Sequence, residues 1–328
     1  MREGNPLGFA RRMGRFVQTL RDRRFEIAID FHGLLKSGLL ARLSGAALRI
    51  GFGAPTSREF SSLFLNHRVM APASGRSPSP LSRFDRNAAL VAAIAPEAEL
   101  PTRPLLGASA LAKARLSARL RATGRERSQG FVLLHPGSSA GASHKRYSPQ
   151  GWAAVARCLA AGGLEVWVAC GPDRHERSMT EEIVRLADGA LVLAPETRSF
   201  DDLLALQARA AVFVACDSGP LHAASLSGVP VVQLLGPTDP DQNAPWADSP
   251  SARLRVPPAC SPCRRGCADP SCMRSIPPTA VADTARRLLA ATAAPSAQIA
   301  GNGTSAGSPG RLGTRGPNDV GLLPGRGR

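Results

Sequence analysis

Aromatic side chains are scarce in this 328-residue chain, at 5% with a single tyrosine and three tryptophans. Surfaces that hold single-stranded nucleic acid stack bases on such rings, so the formal net charge of +16 is not read as a nucleic-acid surface. Lysine is scarcer still: only Lys36, Lys113 and Lys145 stand among the 41 basic residues. An arginine excess beside abundant Ala, Gly and Pro reads as compositional bias rather than a binding stripe. No uninterrupted apolar run reaches the ~18 residues of a membrane helix. Residues 1–6 lack the apolar stretch of a secretory signal, which makes the cytoplasm the expected compartment. No Gly-x-Gly-x-x-Gly follows an apolar run, so the dinucleotide fingerprint is excluded.

What is present is a globular composition, 43% hydrophobic, long enough for two domains with real cores. Residues 1–24 are basic, and Phe9, Met13, Phe16, Val17 and Leu20 recur at helical spacing. A short strand over 25–30 and a helix from about residue 32 follow, then mixed loops after Ile50-Gly-Phe-Gly53 and a helix from Arg83. Pro96, Pro101 and Pro104 mark a linker. From residue 106 strands and helices alternate. Apolar runs at 131–135, 165–170, 191–193, 212–216 and 231–235 are separated by segments with leucines every three or four residues. That alternation predicts a parallel, doubly wound α/β sheet. The expected division is 1–105, 106–292 and a Gly/Pro/Ser/Arg tail at 293–328 that cannot bury enough apolar surface to order itself.

Four predicted strand ends carry turn formers and polar groups: His135-Pro136-Gly137-Ser138, Gly171-Pro172-Asp173, Asp217-Ser218-Gly219 and Gly236-Pro237-Thr238-Asp239. In a parallel sheet these lie along one carboxyl edge, where open α/β sheets take ligands. Pro220 after Gly219 pre-sets the first turn of a helix, whose N-terminus favours an anion such as a diphosphate. The plain alternative is a strand-turn-helix in which Asp217 merely caps. Lys145 follows the first of these turns in a chain that nearly always uses arginine, which suits a compact point charge on a phosphate oxygen. Its alternative is a solvated loop lysine, and for His222 a helix-face histidine bonded to a carbonyl. As a loop residue outside the core, Lys145 is expected to be replaceable without loss of stability.

Residues 29–38 (Ile-Asp-Phe-His-Gly-Leu-Leu-Lys-Ser-Gly), His135-Pro-Gly-Ser with Lys145 and Trp152 beyond it, Asp217-Ser-Gly-Pro-Leu-His222 and Leu235-Gly-Pro-Thr-Asp-Pro240 together resemble glycosyltransferase family nine, the ADP-heptose:lipopolysaccharide heptosyltransferases, over roughly residues 25–290. The resemblance implies a GT-B type fold of two Rossmann-like domains, and inverting transfer of heptose from ADP-heptose to an inner-core lipopolysaccharide acceptor. The N-terminal domain would bind the acceptor and the C-terminal one the donor. It further implies a cytoplasmic protein in peripheral contact with the inner-membrane surface, with no nucleic-acid partner and no required cofactor; a divalent metal is left open. Carried over by position, Lys145 resembles the family's phosphate-binding lysine and Glu176 the acidic residue near the ribose, with Asp173 three residues away. Asp217 and His222 resemble the pair at the diphosphate and sugar, and Ser138, Ser218, Gly219 and Thr238 complete the donor site. His32, Lys36, Arg42, Arg49 and Arg58 form a cationic set for an anionic acceptor, Lys36 and Arg49 foremost; their alternative is a solvated basic face. The departure is at the N-terminal end. Family members open with a strand and a Gly-Asp loop that supplies the base, and no such loop precedes Asp30 here. The expected N-terminal domain therefore lacks its first strand and loop, and no catalytic base is assigned. The alternative function is an impaired, truncated homologue acting as a nucleotide-binding or scaffold protein.

Seven cysteines remain. Cys158, Cys170 and Cys216 read as small core residues. Cys260, Cys263, Cys267 and Cys272 cluster in a Pro-rich basic loop. Four thiolates so spaced could hold zinc or an iron–sulfur cluster, although the spacing is not that of a zinc ribbon. Reduced structural thiols are the default in the cytoplasm.

Overall fold

In a computed structural model, residues 6–54, 56, 57, 59–70, 82–99, 105–138, 140–256, 260, 263, 267 and 269–293 are described. The chain divides into two compact units, 1–100 and 101–328. Composition places the boundary at 105/106. The amides of Leu105 and Leu106 both bond the Leu226 carbonyl, at 2.7 and 3.1 Å, and this ties the segment to the second unit. The expected tail, beyond Ala293, falls outside the described residues.

Unit 1 contains α1 (Pro6–Asp22), β1 (Ile27–Asp30), α2 (Leu35–Leu43), β2 (Leu48–Phe52), β3 (His67–Val69) and α3 (Arg83–Ile94). The strands form a parallel sheet in the order β1-β2-β3. Residues 48–52, just before the loops expected after Gly53, form β2. Gly51 obscures an alternation in which Ile50 and Phe52 point to a core completed by Val69 and Leu90. Ser82 caps α3 by accepting the Asp85 amide at 3.1 Å. Asp30 ends β1 in a turn, its Oδ1 accepting the amides of His32 and Gly33 at 2.9 and 3.0 Å. Gly33 takes the positive φ of 68° that this turn demands.

Unit 2 alternates throughout: α4 (Ala110–Ala122), β4 (Phe131–His135), α5 (Pro149–Ala161), β5 (Val166–Val168), α6 (Arg174–Ala187), β6 (Val192–Leu193), α7 (Phe200–Gln207), β7 (Ala210–Cys216), α8 (Gly219–Leu226), β8 (Val231–Leu235), β9 (Ser251–Arg255), α9 (Ser271–Arg274) and α10 (Pro278–Ala293). All strand pairs are parallel, in the order β6-β5-β4-β7-β8-β9. Successive side chains of each strand point to opposite faces, and both faces are covered. Val132, Leu134, Val212 and Val214 pack under α5, α6 and α10, whereas Phe131, Leu133, Trp167 and Phe213 pack under α4, α7 and α8. The sheet is doubly wound, as the alternation predicts. Residues 212–216 of β7 are all fully buried. At about 1.5–3 kcal/mol for each large apolar side chain removed from water, this strand anchors the unit.

Besides the short β3 and α9, which fall in stretches that read as loop, two elements are not foreshadowed by the sequence pattern. Strand β9 reads Ser-Ala-Arg-Leu-Arg, and only Ala252 and Leu254 are buried because it lies at the sheet edge. Helix α10 begins at Pro278 in what reads as a proline-flanked loop, and buries Val281, Ala282, Ala285 and Leu288. Among the described residues no helix is long and apolar enough to cross a membrane.

Candidate functional site

Strand order explains why residues remote in sequence meet. From β4 the chain proceeds through β5 to β6 on one side, while β7, β8 and β9 continue on the other. The β4/β7 boundary is therefore a topological switch point, where a crevice opens beyond the carboxyl ends. Lys145 follows β4 and Asp217 follows β7.

Lys145 Nζ donates to Asp217 Oδ2 at 2.9 Å, and His222 Nε2 lies 3.3 Å from Oδ1 of the same carboxylate. Asp217 is thus shared between an ammonium and an imidazole and does not cap α8; the cap position belongs to Ser218, whose side chain makes no capping bond. The carboxylate is nearly buried, with 6% of its side chain exposed. Burial by itself would raise its pKa. The His222 hydrogen bond and the Lys145 charge outweigh burial and hold the pKa at about 2. Pro220 occupies the first turn of α8, and its carbonyl accepts from the buried Gln207 at 2.9 Å, which fixes the turn to α7.

Glu176 occupies the neighbouring strand ends. Asp173 caps α6 by accepting the amides of His175 and Glu176 at 3.0 and 3.1 Å, and this swings Glu176 inward. Its Oε1 lies 3.5 Å from His135 Nε2. A Cβ on Gly137 would collide with Glu176 Oε1 and lie 2.7 Å from its Cδ, and one on Gly171 would stand 2.8 Å from Oε2. The carboxylate is wedged between two strand ends that only glycine allows. Burial raises the Glu176 pKa against the lowering effect of the Gly171 amide. Burial likewise lowers His135 to about 4, so its imidazole is neutral.

The remaining candidates distribute as follows. Ser138 accepts from Arg146 Nε at 2.9 Å, and the other end of that guanidinium lies 2.6 Å from His175 Nε2. Arg146 thereby shapes the loop after β4. Composition alone does not single Arg146 out among so many arginines, although its place directly after Lys145 is a usable signal. Ser218 Oγ and Thr238 Oγ1 are buried and form no hydrogen bond among the described residues. Gly219 is exposed at the start of α8. In unit 1, Lys36, His32 and Arg42 are exposed. Arg49 is instead engaged structurally, donating to the carbonyls of Phe64 and Ala46 at 3.0 and 2.8 Å. Arg58 lies outside the described residues.

All seven cysteines are free. Cys272 is buried in α9, where a Cβ on Gly236 would stand 2.7 Å from its Sγ, and the Cys263 amide donates to the Pro237 carbonyl at 2.7 Å. Cys263 and Cys272 therefore lie against the Gly236–Pro237 turn. Among the described residues no three His, Cys, Asp or Glu side chains stand in position to hold a metal.

A doubly wound parallel sheet with an ammonium, a carboxylate and an imidazole gathered at its switch point defines a Rossmann-like α/β protein with a candidate anion site. The sequence profile of Glycosyltransferase family 9 (heptosyltransferase) matches residues 13–271. The chain belongs to that family. It is 26% identical over 229 residues to lipopolysaccharide core heptosyltransferase OpsX of Haemophilus influenzae, covering 70% of this chain and 62% of the relative, so the match spans under two thirds of that protein's length. An Escherichia coli lipopolysaccharide heptosyltransferase 3 is 30% identical over 122 residues, 37% of this chain and 35% of the relative. Among solved structures, the family 9 glycosyl transferase of Veillonella parvula has a TM-score of 0.65 at 17% identity, covering 84% of this chain and 78% of that one. E. coli heptosyltransferase WaaC with ADP has a TM-score of 0.60 at 20% identity, covering 87% and 79%. These likenesses show the fold, two Rossmann-like units of GT-B type, with three strands in unit 1 among the described residues.

Proposed function

We propose that the chain acts in inverting transfer of heptose from ADP-heptose to an inner-core lipopolysaccharide acceptor, with unit 2 taking the donor and unit 1 the acceptor. The observation that carries this reading is the Lys145–Asp217–His222 cluster on the carboxyl edge of the sheet. Asp217 holds Lys145 Nζ on one oxygen and His222 Nε2 on the other. A cation and a donor group are therefore positioned before the diphosphate arrives, and they need no reorganisation as negative charge develops on the departing ADP. The helix N-terminus at Gly219 adds its partial positive charge, and the hydroxyls of Ser138, Ser218 and Thr238 supply neutral hydrogen-bond partners. Glu176 serves the ribose, next to the glycine turns it wedges. Lys36 serves the acceptor, and Arg49 shapes the acceptor side through its carbonyl contacts. The base that takes the acceptor proton is assigned to no residue of this chain. Peripheral contact with the inner-membrane surface, where a lipid-anchored acceptor resides, belongs to the same reading.

A second reading is a nucleotide-binding protein without turnover. It is favoured by Asp30, a buried carboxylate among the described residues of unit 1, whose Oδ1 is engaged in the turn through the amides of His32 and Gly33. Calorimetry with ADP on the full chain tests both. Absence of binding at millimolar ADP by folded protein overturns both, whereas ADP binding without heptose transfer to lipopolysaccharide acceptors leaves the second.

A further inference from the structure

The core of unit 2 holds two side chains that an apolar interior does not call for. Gln207, the last residue of α7, and Gln233, the middle of β8, are both fully buried. Each uses only one half of its amide. Gln207 Nε2 donates to the Pro220 carbonyl and Gln233 Nε2 to the Asn243 carbonyl, both at 2.9 Å. The Oε1 atoms of both are buried and accept no hydrogen bond among the described residues. A backbone carbonyl can only accept, so the amide orientations are fixed: the NH2 groups face the loops and the oxygens are left without a donor. Burying an amide oxygen unpaired is unfavourable. Stability therefore does not account for either glutamine.

What the two amides share is the kind of segment they hold. Pro220 lies in the first turn of α8, directly after Ser218 and Gly219 and two residues before His222. Asn243 closes the loop after β8, where its backbone N–H and its Nδ2 both donate to the Asp239 carbonyl, at 3.2 and 2.8 Å, one residue beyond Thr238. Gln233 pairs in register with Ala215 of β7 and so points to the sheet face that carries α7 and α8. We propose that Gln207 and Gln233 are positioning residues of the donor edge. Neither touches the ligand; they fix the turn after β7 and the loop after β8 so that His222 and the hydroxyls of Ser218 and Thr238 are in place before a nucleoside diphosphate arrives. A binding edge needs its supporting groups locked more closely than loop packing alone achieves. A directional bond from a buried strand or helix supplies that, where an apolar side chain would leave the loop free to slide. The inference rests on the donor reading above for its ligand, whereas the fixing of the two segments is tested without one.

Gln207→Met and Gln233→Met keep the length of each side chain and remove both the donor and the unpaired oxygen. In the full chain the urea midpoint of each variant is expected to stay at the wild-type value or rise, as when a buried polar group gives way to an apolar one of similar volume. ADP affinity by calorimetry is expected to fall about tenfold or more, the effect of a small misplacement of binding groups. In protein without ADP, amide hydrogen exchange should quicken over residues 217–224 in the first variant and 236–243 in the second, with β4 and β5 unchanged. Unchanged exchange in both variants overturns the proposal, and so does unchanged ADP affinity where wild type binds. A midpoint that falls, or a variant that fails to fold, also overturns it, because the amides then serve stability. If wild type itself binds no ADP, the donor reading is lost and the exchange result alone decides whether the glutamines position the two segments.

Discussion

Replacing Lys145 by methionine isolates the centre of the candidate site. The structure reverses the expectation that a loop lysine can be exchanged freely, because its partner Asp217 is nearly buried and Lys145 itself is only 23% exposed. The pair and His222 together lower the Asp217 pKa from 3.8 to about 2 against the opposing effect of burial. A depression of that size corresponds to about 2.5 kcal/mol of stability. The sign follows from the depressed folded value: the contribution is fully present above pH 3.8 and is lost as pH falls through about 2. Lys145→Met keeps the stem but leaves a buried carboxylate with the imidazole alone, at a cost of about 2–4 kcal/mol at pH 7. Asp217→Asn removes the charge and leaves a lysine that can turn to water, and costs roughly 1 kcal/mol. With the carboxylate gone, adding Lys145→Met changes little, so the double-mutant cycle should return a coupling of about 2–4 kcal/mol. All three tryptophans, Trp152, Trp167 and Trp246, lie in unit 2, and their fluorescence during urea unfolding of the full chain reads this unit. Effects that add to within about 0.5 kcal/mol, or a gap between wild type and Lys145→Met that persists unchanged at pH 2, would refute the reasoning.

Two further outcomes follow from the glycine turns. The pKa of His135 is about 4 in the fold against 6.5 unperturbed, so unfolding takes up a proton between those values. Stability due to this group is complete above pH 6.5 and falls by roughly 3 kcal/mol as pH drops to 4; urea melts of wild type and His135→Phe across that window should diverge in slope, and parallel slopes would mean the imidazole is solvated. Gly137→Ala forces Glu176 out of its wedge, which is expected to weaken ADP binding at least tenfold, about 1.4 kcal/mol, with secondary structure retained by circular dichroism; unchanged affinity on calorimetry would place Glu176 outside the donor site.

The alternation of unit 2 and the gathering of its strand ends were legible because buried parallel strands are continuous apolar runs bounded by turn formers. Residues 131–135 and 231–235 are strands β4 and β8 to the residue. Strand β9 was hidden for the opposite reason: an edge strand is half wet, and Arg253 and Arg255 interrupt its pattern. The doubly wound order could be anticipated, but not that β4 and β7 would be neighbours, and the Lys145–Asp217 contact depends on that adjacency across 72 residues of chain. For the same reason Glu176 and Asp173 could not be separated by spacing alone. Only the cap geometry, with Asp173 holding two amides, shows which carboxylate turns inward.

The wedging of Glu176 between Gly137 and Gly171 also governs how this site can drift. A carboxylate whose oxygens occupy the space of two absent Cβ atoms makes three positions interdependent: while position 176 carries a side chain of that length, neither turn admits even a methyl group without displacing it. A substitution at 171 is then harmful in the present background and becomes tolerable after residue 176 has shortened, for example to serine, whereas one at 137 still meets His135 Cε1 at 2.8 Å. In a saturation library position 171 should open in a Glu176→Ser background while position 137 stays closed until His135 also gives way, so the order in which changes accumulate, and not only their identity, decides which neighbouring sequences this site can reach.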